Sequence, residues 1–166
     1  MTEPAATATG KQIAIQKIYI KDFSFESPSS PNVFQASDWT PKTNLNLRST
    51  HAKTEGDLHE VILTITAETK HEDKTIFLVE LQQAGLFHIT GYEGEEFGVV
   101  VGSFCPNVLF PYARETISSA VAKGGFPEFM LQPINFDALY TQSRQQAAAQ
   151  AAQAAKAGDG SNGDAH

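Results

Sequence analysis

The sequence contains a single cysteine, Cys105, in 166 residues. One cysteine excludes an intrachain disulfide and the paired-cysteine clamp of a structural zinc site, and it fits a reducing cytosol. Basic residues are also scarce, because 12 Lys and Arg stand against 19 Asp and Glu, for a formal net charge of −7. Without a basic stripe to contact phosphates, no nucleic-acid partner is expected, whereas an acidic surface favours a basic partner.

Long apolar runs are missing as well. No segment approaches the roughly 20 consecutive apolar residues of a membrane-spanning helix. The N-terminus shows no basic stretch followed by an apolar one, which is how a secretory signal peptide begins. We therefore expect a cytoplasmic protein that is not inserted directly into the membrane.

Catalytic and metal-binding motifs are absent too. The five histidines show no HExxH or His/Cys ligand spacing, and neither a GxSxG nor a Walker loop occurs. Cys105 has no paired base and is best interpreted as a buried, inert thiol. The carboxylate pairs Glu95–Glu96 and Asp22/Glu26 lack a second element that would divide acid and base roles. These absences weigh against an enzyme, and no metal or cofactor is predicted.

The composition divides the chain into three parts. Residues 1–10, rich in Ala and Thr without apolar periodicity, are predicted to be a disordered N-terminus. Residues 11–144 suffice for one domain with one modest core. Residues 145–166 are rich in Ala and Gln and then in Gly, and they are predicted to be a flexible tail. Because Ala and Gln favour helix but Ala buries little area, a helix entering this tail should pack at its start and loosen toward its end.

Alternating apolar residues predict four strands. The strands span Ile13–Glu26, Thr43–Ser49, Leu58–Lys70 and Thr75–Thr90. Strict alternation divides the first strand into two faces. One face carries Ile13, Ile15, Tyr19, Phe23 and Phe25, and the other carries Ile18, Ile20, Asp22, Ser24 and Glu26.

A long connection follows the first strand. Residues 27–41 contain three prolines and two large aromatic residues, Phe34 and Trp39. Irregular connections of this length are uncommon and often functional. Two large aromatics in a polar loop either pack it onto the body of the domain or contact a ligand.

The fourth strand is apolar on both faces. Phe77, Val79 and Leu81 lie on one side by alternation, and Ile76, Leu78 and Glu80 lie on the other. A strand that is apolar on both faces must be covered on both. Two helices can cover only one of them, so we infer that another copy of the chain covers the other and that the protein is an oligomer.

Two helices are predicted after the sheet. The first begins near Pro106 or Pro111, because a missing N–H is harmless in a first turn, and it ends before Gly124–Gly125. Its apolar face comprises Leu109, Ala113, Ile117, Ala120 and Val121. Asn135 is placed to cap the second helix. For residues 95–103 the pattern does not distinguish a short helix from an extended segment.

Several long and compositionally unusual segments resemble one protein family. They are KDFSFE (21–26), SPNVFQASDW (30–39), FLVELQQAGLF (77–87), CPNVLFPYARETI (105–117) and GFPEFMLQPINFDALY (125–140). From Ile13 to Tyr140 the chain is similar, in the same order, to SecB, the family of bacterial protein-export chaperones. The resemblance implies an α+β fold, with a four-stranded antiparallel sheet and two helices on one face, assembled as a dimer-of-dimers homotetramer.

The resemblance also implies a function. It implies an ATP-independent molecular chaperone that holds unfolded precursor proteins in a translocation-competent state in the cytosol. The family delivers these clients to the SecA motor and needs no cofactor. The Ala/Gln-rich tail departs from the family pattern, so the role of that tail is left open.

The resemblance assigns residues as well. Asp22, Glu26, Leu78 and Glu80 match the positions at which the family docks the small, basic, zinc-bearing C-terminal tail of SecA. Phe77, Val79, Leu81 and Gln83 match positions where the family forms its tetramer. Candidates for client binding are Phe34, Trp39, Leu45, Leu47, Leu139 and Tyr140. An alternative for this last group is that the side chains only pack the loop onto the domain.

Two other functions fit the residues without the resemblance. One is a small-molecule-binding or catalytic α+β domain, in which the aromatic loop is the lid of a pocket and Asp22 or Glu26 is an acid. That function predicts a deep, enclosed cavity, whereas a chaperone needs long, open apolar grooves. The other is a structural oligomer that binds no client.

Overall fold

The computed structural model describes residues 10–36, 38 and 40–159, in which helices cover one face of an antiparallel sheet. The strands are β1 (Gln12–Glu26), β2 (Lys42–Lys53), β3 (Leu58–His71) and β4 (Lys74–Thr90), in the spatial order β1-β4-β3-β2. The helical elements are a 3-10 turn (Asn32–Gln35), α1 (Gly94–Val99), a π-helical segment (Val100–Phe104), α2 (Cys105–Lys123) and α3 (Phe136–Asp159). The predicted α+β fold and four-stranded antiparallel sheet are confirmed.

The two faces of the sheet differ in their cover. α2 packs across β3 and β4 on one face, which we call the helix side. Along β3 the odd-numbered residues from Val61 to Thr69 point to the helix side and are buried, and the even-numbered ones from Ile62 to Glu68 are half-buried. The opposite face, which we call the open face, is therefore in contact with solvent. β1 and β2 are the two edges of the sheet.

Two β-bulges set which side chains of β1 reach the helix side. The register with β4 shifts between Ile15 and Lys17 and again between Ile20 and Asp22, so each shift adds one residue to β1. Each extra residue reverses the alternation that follows it. The six residues opposite odd-numbered positions of β4 are Ile13, Ile15, Ile18, Ile20, Phe23 and Phe25, and these share the helix side.

The division of β1 predicted by strict alternation is therefore wrong. Ile18 and Ile20 lie with the other apolar residues on the helix side, and Tyr19 lies on the open face with Asp22 and Glu26. The physical reason is burial, since the bulges bring every isoleucine and phenylalanine of β1 to the covered side.

α2 has the predicted apolar face and the predicted end. Leu109, Ala113, Ile117 and Val121 are fully buried against the sheet, and Ala120 is half-buried. Each buried Leu, Ile or Val side chain among them contributes roughly 1.5–3 kcal/mol relative to exposure. The helix ends in a Schellman motif, in which Phe126 N–H donates to Val121 O (3.2 Å) and Gly125 N–H to Ala122 O (3.1 Å). Gly125 has φ +88°, which explains the glycine.

Residues 95–103, for which the sequence left two alternatives, are helical. α1 and the π-helical segment run directly into α2, so that one helix continues from Gly94 to Lys123. A π-helical turn inserts an extra residue and often marks a functional site. Here it turns Val101 and Ser103 inward, and both are buried.

α3 begins as predicted, with Ala138 N–H donating to Asn135 Oδ1 at 3.0 Å. The helix continues through the predicted tail as far as Asp159, and every residue from Thr141 to Gly158 is exposed. No helix among the described residues is long and apolar enough to cross a membrane.

The structure changes the prediction for the oligomer contacts. Phe77, Val79, Leu81 and Gln83 all point to the helix side of β4 and are at most 5% exposed in the single chain. The chain's own core already covers them, so a second copy has no surface to bury there.

Candidate functional site: two apolar grooves and an acidic face

The first candidate site is an aromatic groove on the helix side, with a volume of about 400 Å³. Its centre is Phe126, whose ring lies 5.3 Å from Phe34 and 5.2 Å from Phe77, measured between centroids. Phe126 and Phe77 are buried, whereas Phe34 is half exposed. The groove is lined by Phe34, Pro41, Thr43, Thr69, Phe77, Gly125, Phe126, Pro127, Glu128 and Phe129. Such a wall of ring faces and edges binds apolar side chains without a fixed hydrogen-bond pattern.

Glycine is required next to this groove. A Cβ atom on Gly125 would lie 3.1 Å from the Phe34 ring, and the φ of +88° already disfavours other residues. A Cβ atom on Gly124 would lie 2.3 Å from the Phe25 ring. The two glycines therefore end α2 and also let the aromatic rings pack against its last turn.

The second candidate site is an aliphatic groove of about 620 Å³ between β2 and α3. Leu47 and Leu63 form its floor from the sheet, and Leu139 and Tyr140 form its wall from the first turns of α3. Val101 and Gly102 close it from the π-helical segment, and His51 and Arg48 stand at its polar rim. Both grooves border β2, the exposed edge strand, and both are open to solvent.

Tyr140, in the wall of the aliphatic groove, packs closely against two glycines of the preceding helical segments. Cβ atoms built on Gly98 and Gly102 would lie 2.4 Å from the Tyr140 hydroxyl and 2.5 Å from its ring, respectively. Arg144 Nη1 donates to the Tyr140 hydroxyl at 3.1 Å. Ser103, buried in the π-helical segment, donates to Asp137 Oδ1 in a short hydrogen bond. These contacts fix the start of α3, and no comparable packing holds its exposed continuation.

Five of the six residues predicted to bind clients lie in or beside these grooves. Phe34 lines the aromatic groove, and Leu47, Leu139 and Tyr140 line the aliphatic one. Leu45 is exposed on the helix side of β2, between Thr43 of the first groove and Leu47 of the second. Trp39 lies outside the described residues.

Sequence reasoning missed much of both linings. Phe126 and Phe129 lie in an irregular segment between α2 and α3, where periodicity gives no signal. The available signal was composition, because two phenylalanines flank a proline and follow two glycines. Gly98 and Gly102 are spaced four residues apart, which identifies a close helix contact only once the region is known to be helical.

The third candidate site is the acidic face, which we define as Asp22, Glu26, Leu78 and Glu80. Glu26 pairs directly with Leu78, and Ser24 pairs with Glu80, so that these four residues share the open face. The shared face predicted for each pair agrees with the register. In the part of the chain that the structure describes, no cation forms a salt bridge with Asp22, Glu26 or Glu80. Their charges are therefore available to a partner.

A neighbouring carboxylate on the open face is already engaged. Glu60 accepts a hydrogen bond from Lys21 Nζ at 2.8 Å and a short one from the Tyr19 hydroxyl. These two donors hold the pKa of Glu60 below its ordinary value, the Lys21 bond contributing most. Burial and the Glu60 charge raise the pKa of Tyr19 to about 12. The acidic face thus ends where this neutralised cluster begins.

The geometry contradicts a pocket acid at Asp22 or Glu26. Both carboxylates lie on the open face, whereas both grooves lie on the helix side. Burial raises the pKa of the Cys105 thiol to about 12, so the thiol is not activated. Among the described residues, no three His, Cys, Asp or Glu side chains are grouped to hold a metal.

Comparisons with known proteins agree with this arrangement. Residues 6–147 match the family model described as Preprotein translocase subunit SecB. A protein-export protein SecB from Nitrosococcus oceani is 52% identical over 136 residues, covering 81% of this chain and 83% of the relative. One from Hahella chejuensis is 49% identical over 158 residues, covering 95% and 99%.

One solved structure supports the fold. It is the Mycobacterium tuberculosis Rv1957 SecB-like chaperone in complex with a ChAD peptide from the Rv1956 HigA1 antitoxin. The two structures superpose with a TM-score of 0.60 at 14% sequence identity, covering 74% of this chain and 90% of that one.

Proposed function

The chain belongs to the SecB family of protein-export chaperones, and we propose that it holds unfolded precursor proteins in a translocation-competent state in the cytosol and delivers them to the SecA motor. The observation that carries this proposal is the pair of open apolar grooves along β2. An extended client can place apolar side chains in both grooves and its backbone along the free strand edge. A folded protein rarely offers an extended segment with free backbone and apolar side chains together, so this mode of binding selects unfolded chains without ATP.

Refolding kinetics test the holding activity. A reduced, unfolded precursor diluted into excess of this protein should refold more slowly, and Phe34→Ala combined with Leu139→Ala should lessen the delay. Phe34 and Leu139 are 50% and 43% exposed, so their loss should leave the fold intact. Unchanged refolding at molar excess of the wild-type protein would rule out a holding chaperone.

SecA docking is proposed for the acidic face. Asp22, Glu26 and Glu80 lack cationic partners among the described residues, and Leu78 lies among them on the open face. Unpaired carboxylates steer a basic partner, and a central apolar side chain adds contact area. Because the grooves lie on the opposite side of the sheet, client and motor can bind at the same time.

A double substitution separates docking from folding. Asp22→Ala with Glu80→Ala should weaken binding of the zinc-loaded C-terminal tail of SecA, while client binding and native mass stay unchanged. Equal loss of all three properties would indicate misfolding and remove the support for docking at this face.

A homotetramer, built as a dimer of dimers, is proposed for the assembly. α2 covers the helix side of β1 only in part. Three β1 residues and one α2 residue beside them are each between 39% and 52% exposed: Ile15, Ile20, Phe23 and Tyr112. Grooves lined by Ile20 and Phe23 on one side and Tyr112 and Thr116 on the other continue along this surface. Exposed apolar surface beside a free strand edge is typical of a contact between copies.

Native mass spectrometry tests the assembly. The wild-type protein should have the mass of four chains, and Ile20→Asp should reduce it, because a charge on this surface opposes burial. Lys17→Asp, on the open face of the same strand, is the matched control and should leave the tetramer mass unchanged.

A further inference from the structure

A carboxylate on β3 completes the surroundings of Leu78. Glu68 pairs directly with Leu78 on one side, and Glu26 pairs with it on the other. All three residues therefore share the open face, and directly paired residues bring their Cβ atoms to within about 5.5 Å. The apolar side chain at the centre of the acidic face thus has a carboxylate on both flanks.

The Glu68 carboxylate is held in place by Thr75. Thr75 Oγ1 donates to Glu68 Oε1 at 2.8 Å, and Lys70 Nζ lies 3.7 Å from the same oxygen. Both contacts use Oε1, so Oε2 has no partner in the described part of the chain. The Glu68 side chain is 32% exposed, which leaves it accessible from the open face.

Thr75 is itself anchored. Ser29 Oγ, from the connection after β1, donates to the Thr75 carbonyl at 2.7 Å. The connection therefore fixes the first residues of β4, and β4 in turn presents both Thr75 and Leu78. Lys70 holds Glu68 less firmly, because an exposed pair at 3.7 Å is worth little.

We propose that Glu68 is a fifth member of the docking surface, that Thr75 positions its carboxylate, and that its occupant is the basic segment bound by the acidic face. This inference rests on the proposed docking of SecA. A partner cation beside Leu78 meets Glu26 and Glu68 together, and it displaces Lys70 from Glu68. Lys70 is then a competitor for the carboxylate.

Isothermal titration with the zinc-loaded C-terminal peptide of SecA tests the proposal on the full-length protein. Glu68→Gln should weaken binding roughly two- to five-fold at low salt, with a smaller effect at high salt. Glu72→Gln is the matched control, because it removes the same charge from the β3–β4 turn, where the side chain is 82% exposed. It should change the affinity by less than Glu68→Gln does.

Two further variants test the positioning and the competition. Thr75→Val should weaken binding by a smaller factor, and in combination with Glu68→Gln it should add nothing, since it acts through that carboxylate. Lys70→Met should tighten binding, and this gain should vanish in the Glu68→Gln background. The single variants Thr75→Val and Lys70→Met, which should shift the affinity in opposite directions, keep the proposal testable even if Glu68→Gln folds poorly.

The outcomes distinguish the two proposals. If the wild-type protein fails to bind the peptide, docking at the acidic face is overturned and the role of Glu68 with it. If the wild type binds, the Asp22→Ala and Glu80→Ala variant does not, and Glu68→Gln equals the wild type, only the role of Glu68 is overturned. Tighter binding by Lys70→Met that persists without Glu68 also contradicts it.

Discussion

The two faces of β1 differ in chemistry, one being apolar and the other polar and acidic. Its helix side carries six isoleucine and phenylalanine residues, which join the core or remain as uncovered apolar surface. Its open face carries Tyr19, Asp22, Ser24 and Glu26. Tyr19 donates a hydrogen bond to Glu60, and the carboxylates of Asp22 and Glu26 form no salt bridge within the described residues. One strand can carry both kinds of face because two bulges keep them separate. The phase of β1, rather than its composition alone, therefore places the acidic face and the apolar surface on opposite sides of the sheet.

Deleting Ser24 should give the largest effect on stability. Ser24 is paired with Glu80, so its removal makes Phe23 and Phe25 neighbours, which must then point to opposite faces. Phe25 now packs against Phe77 and Phe126 on the helix side. Because one of the two rings must move to the open face, the deletion should lower the free energy of unfolding by at least about 2 kcal/mol.

Deleting Lys21 is the matched control. Lys21 is the extra residue of the second bulge, so its removal leaves Ile20 opposite Gln83 and Asp22 opposite Gln82, and no side chain changes face. This deletion should cost far less in urea denaturation than the deletion of Ser24 does. Equal effects of the two deletions would show that the bulge does not set the phase of the strand.

Gly102→Ala should change only the helix side and cause an intermediate loss of stability. The new Cβ atom would lie 2.5 Å from the Tyr140 ring, so that ring and the start of α3 must move. Overpacking of this kind costs about 1–3 kcal/mol, which the better helix propensity of Ala offsets by up to about 1 kcal/mol. Client affinity should fall, while binding of the SecA peptide stays unchanged.

The control for Gly102→Ala is the same change in a Tyr140→Ala background. Without the ring there is no clash, so Gly102→Ala should become neutral or stabilising by thermal denaturation. Destabilisation of the same size in both backgrounds would contradict the contact between Gly102 and Tyr140.

Glu60→Gln changes the open face alone and should have the smallest effect on stability. The pKa of Glu60 is held below 4.5, chiefly by Lys21 and then by Tyr19. A lowered carboxyl pKa stabilises the folded state above about pH 4.5, and this contribution is lost as the pH falls through the folded value. Glu60→Gln should therefore lose less stability than the wild type between about pH 5 and about pH 3.

Urea denaturation across that pH range measures the effect, with Glu72→Gln as the exposed control. Parallel curves for the wild type and Glu60→Gln would show that Lys21 and Tyr19 do not stabilise the ionised carboxylate. Neither variant should change client binding.

The sequence was sufficient for much of the fold. Alternation identified the strands, the spacing of Leu109, Ala113 and Ile117 identified the buried face of α2, and Asn135 identified the start of α3. These features are local, and each follows from residues within a few positions of one another. The residues of the acidic face also share one side of the sheet as alternation predicts, because Asp22 and Glu26 both follow the last bulge and lie four positions apart.

The phase of β1 could not be obtained by strict alternation. The apolar positions 13, 15, 18, 20, 23 and 25 are spaced by steps of two and three in turn. Each step of three marks a bulge, a pattern that fits neither a regular strand nor a helix. Alternation also could not predict which face of β4 the helices cover, and hence that Phe77 and Val79 are buried within the chain. Two apolar faces look alike until the helices are placed.

The edge strand β2 has a consequence for solubility. Its twelve residues include Lys42, Arg48 and Lys53 and no carboxylate, and it borders both grooves with its outer backbone unpaired. Two such strands from different molecules would bring like charges together if they tried to hydrogen-bond, which disfavours fibril-like stacking. The β2 edge can thus remain open to an extended client, while its three cations disfavour pairing with the β2 edge of another molecule.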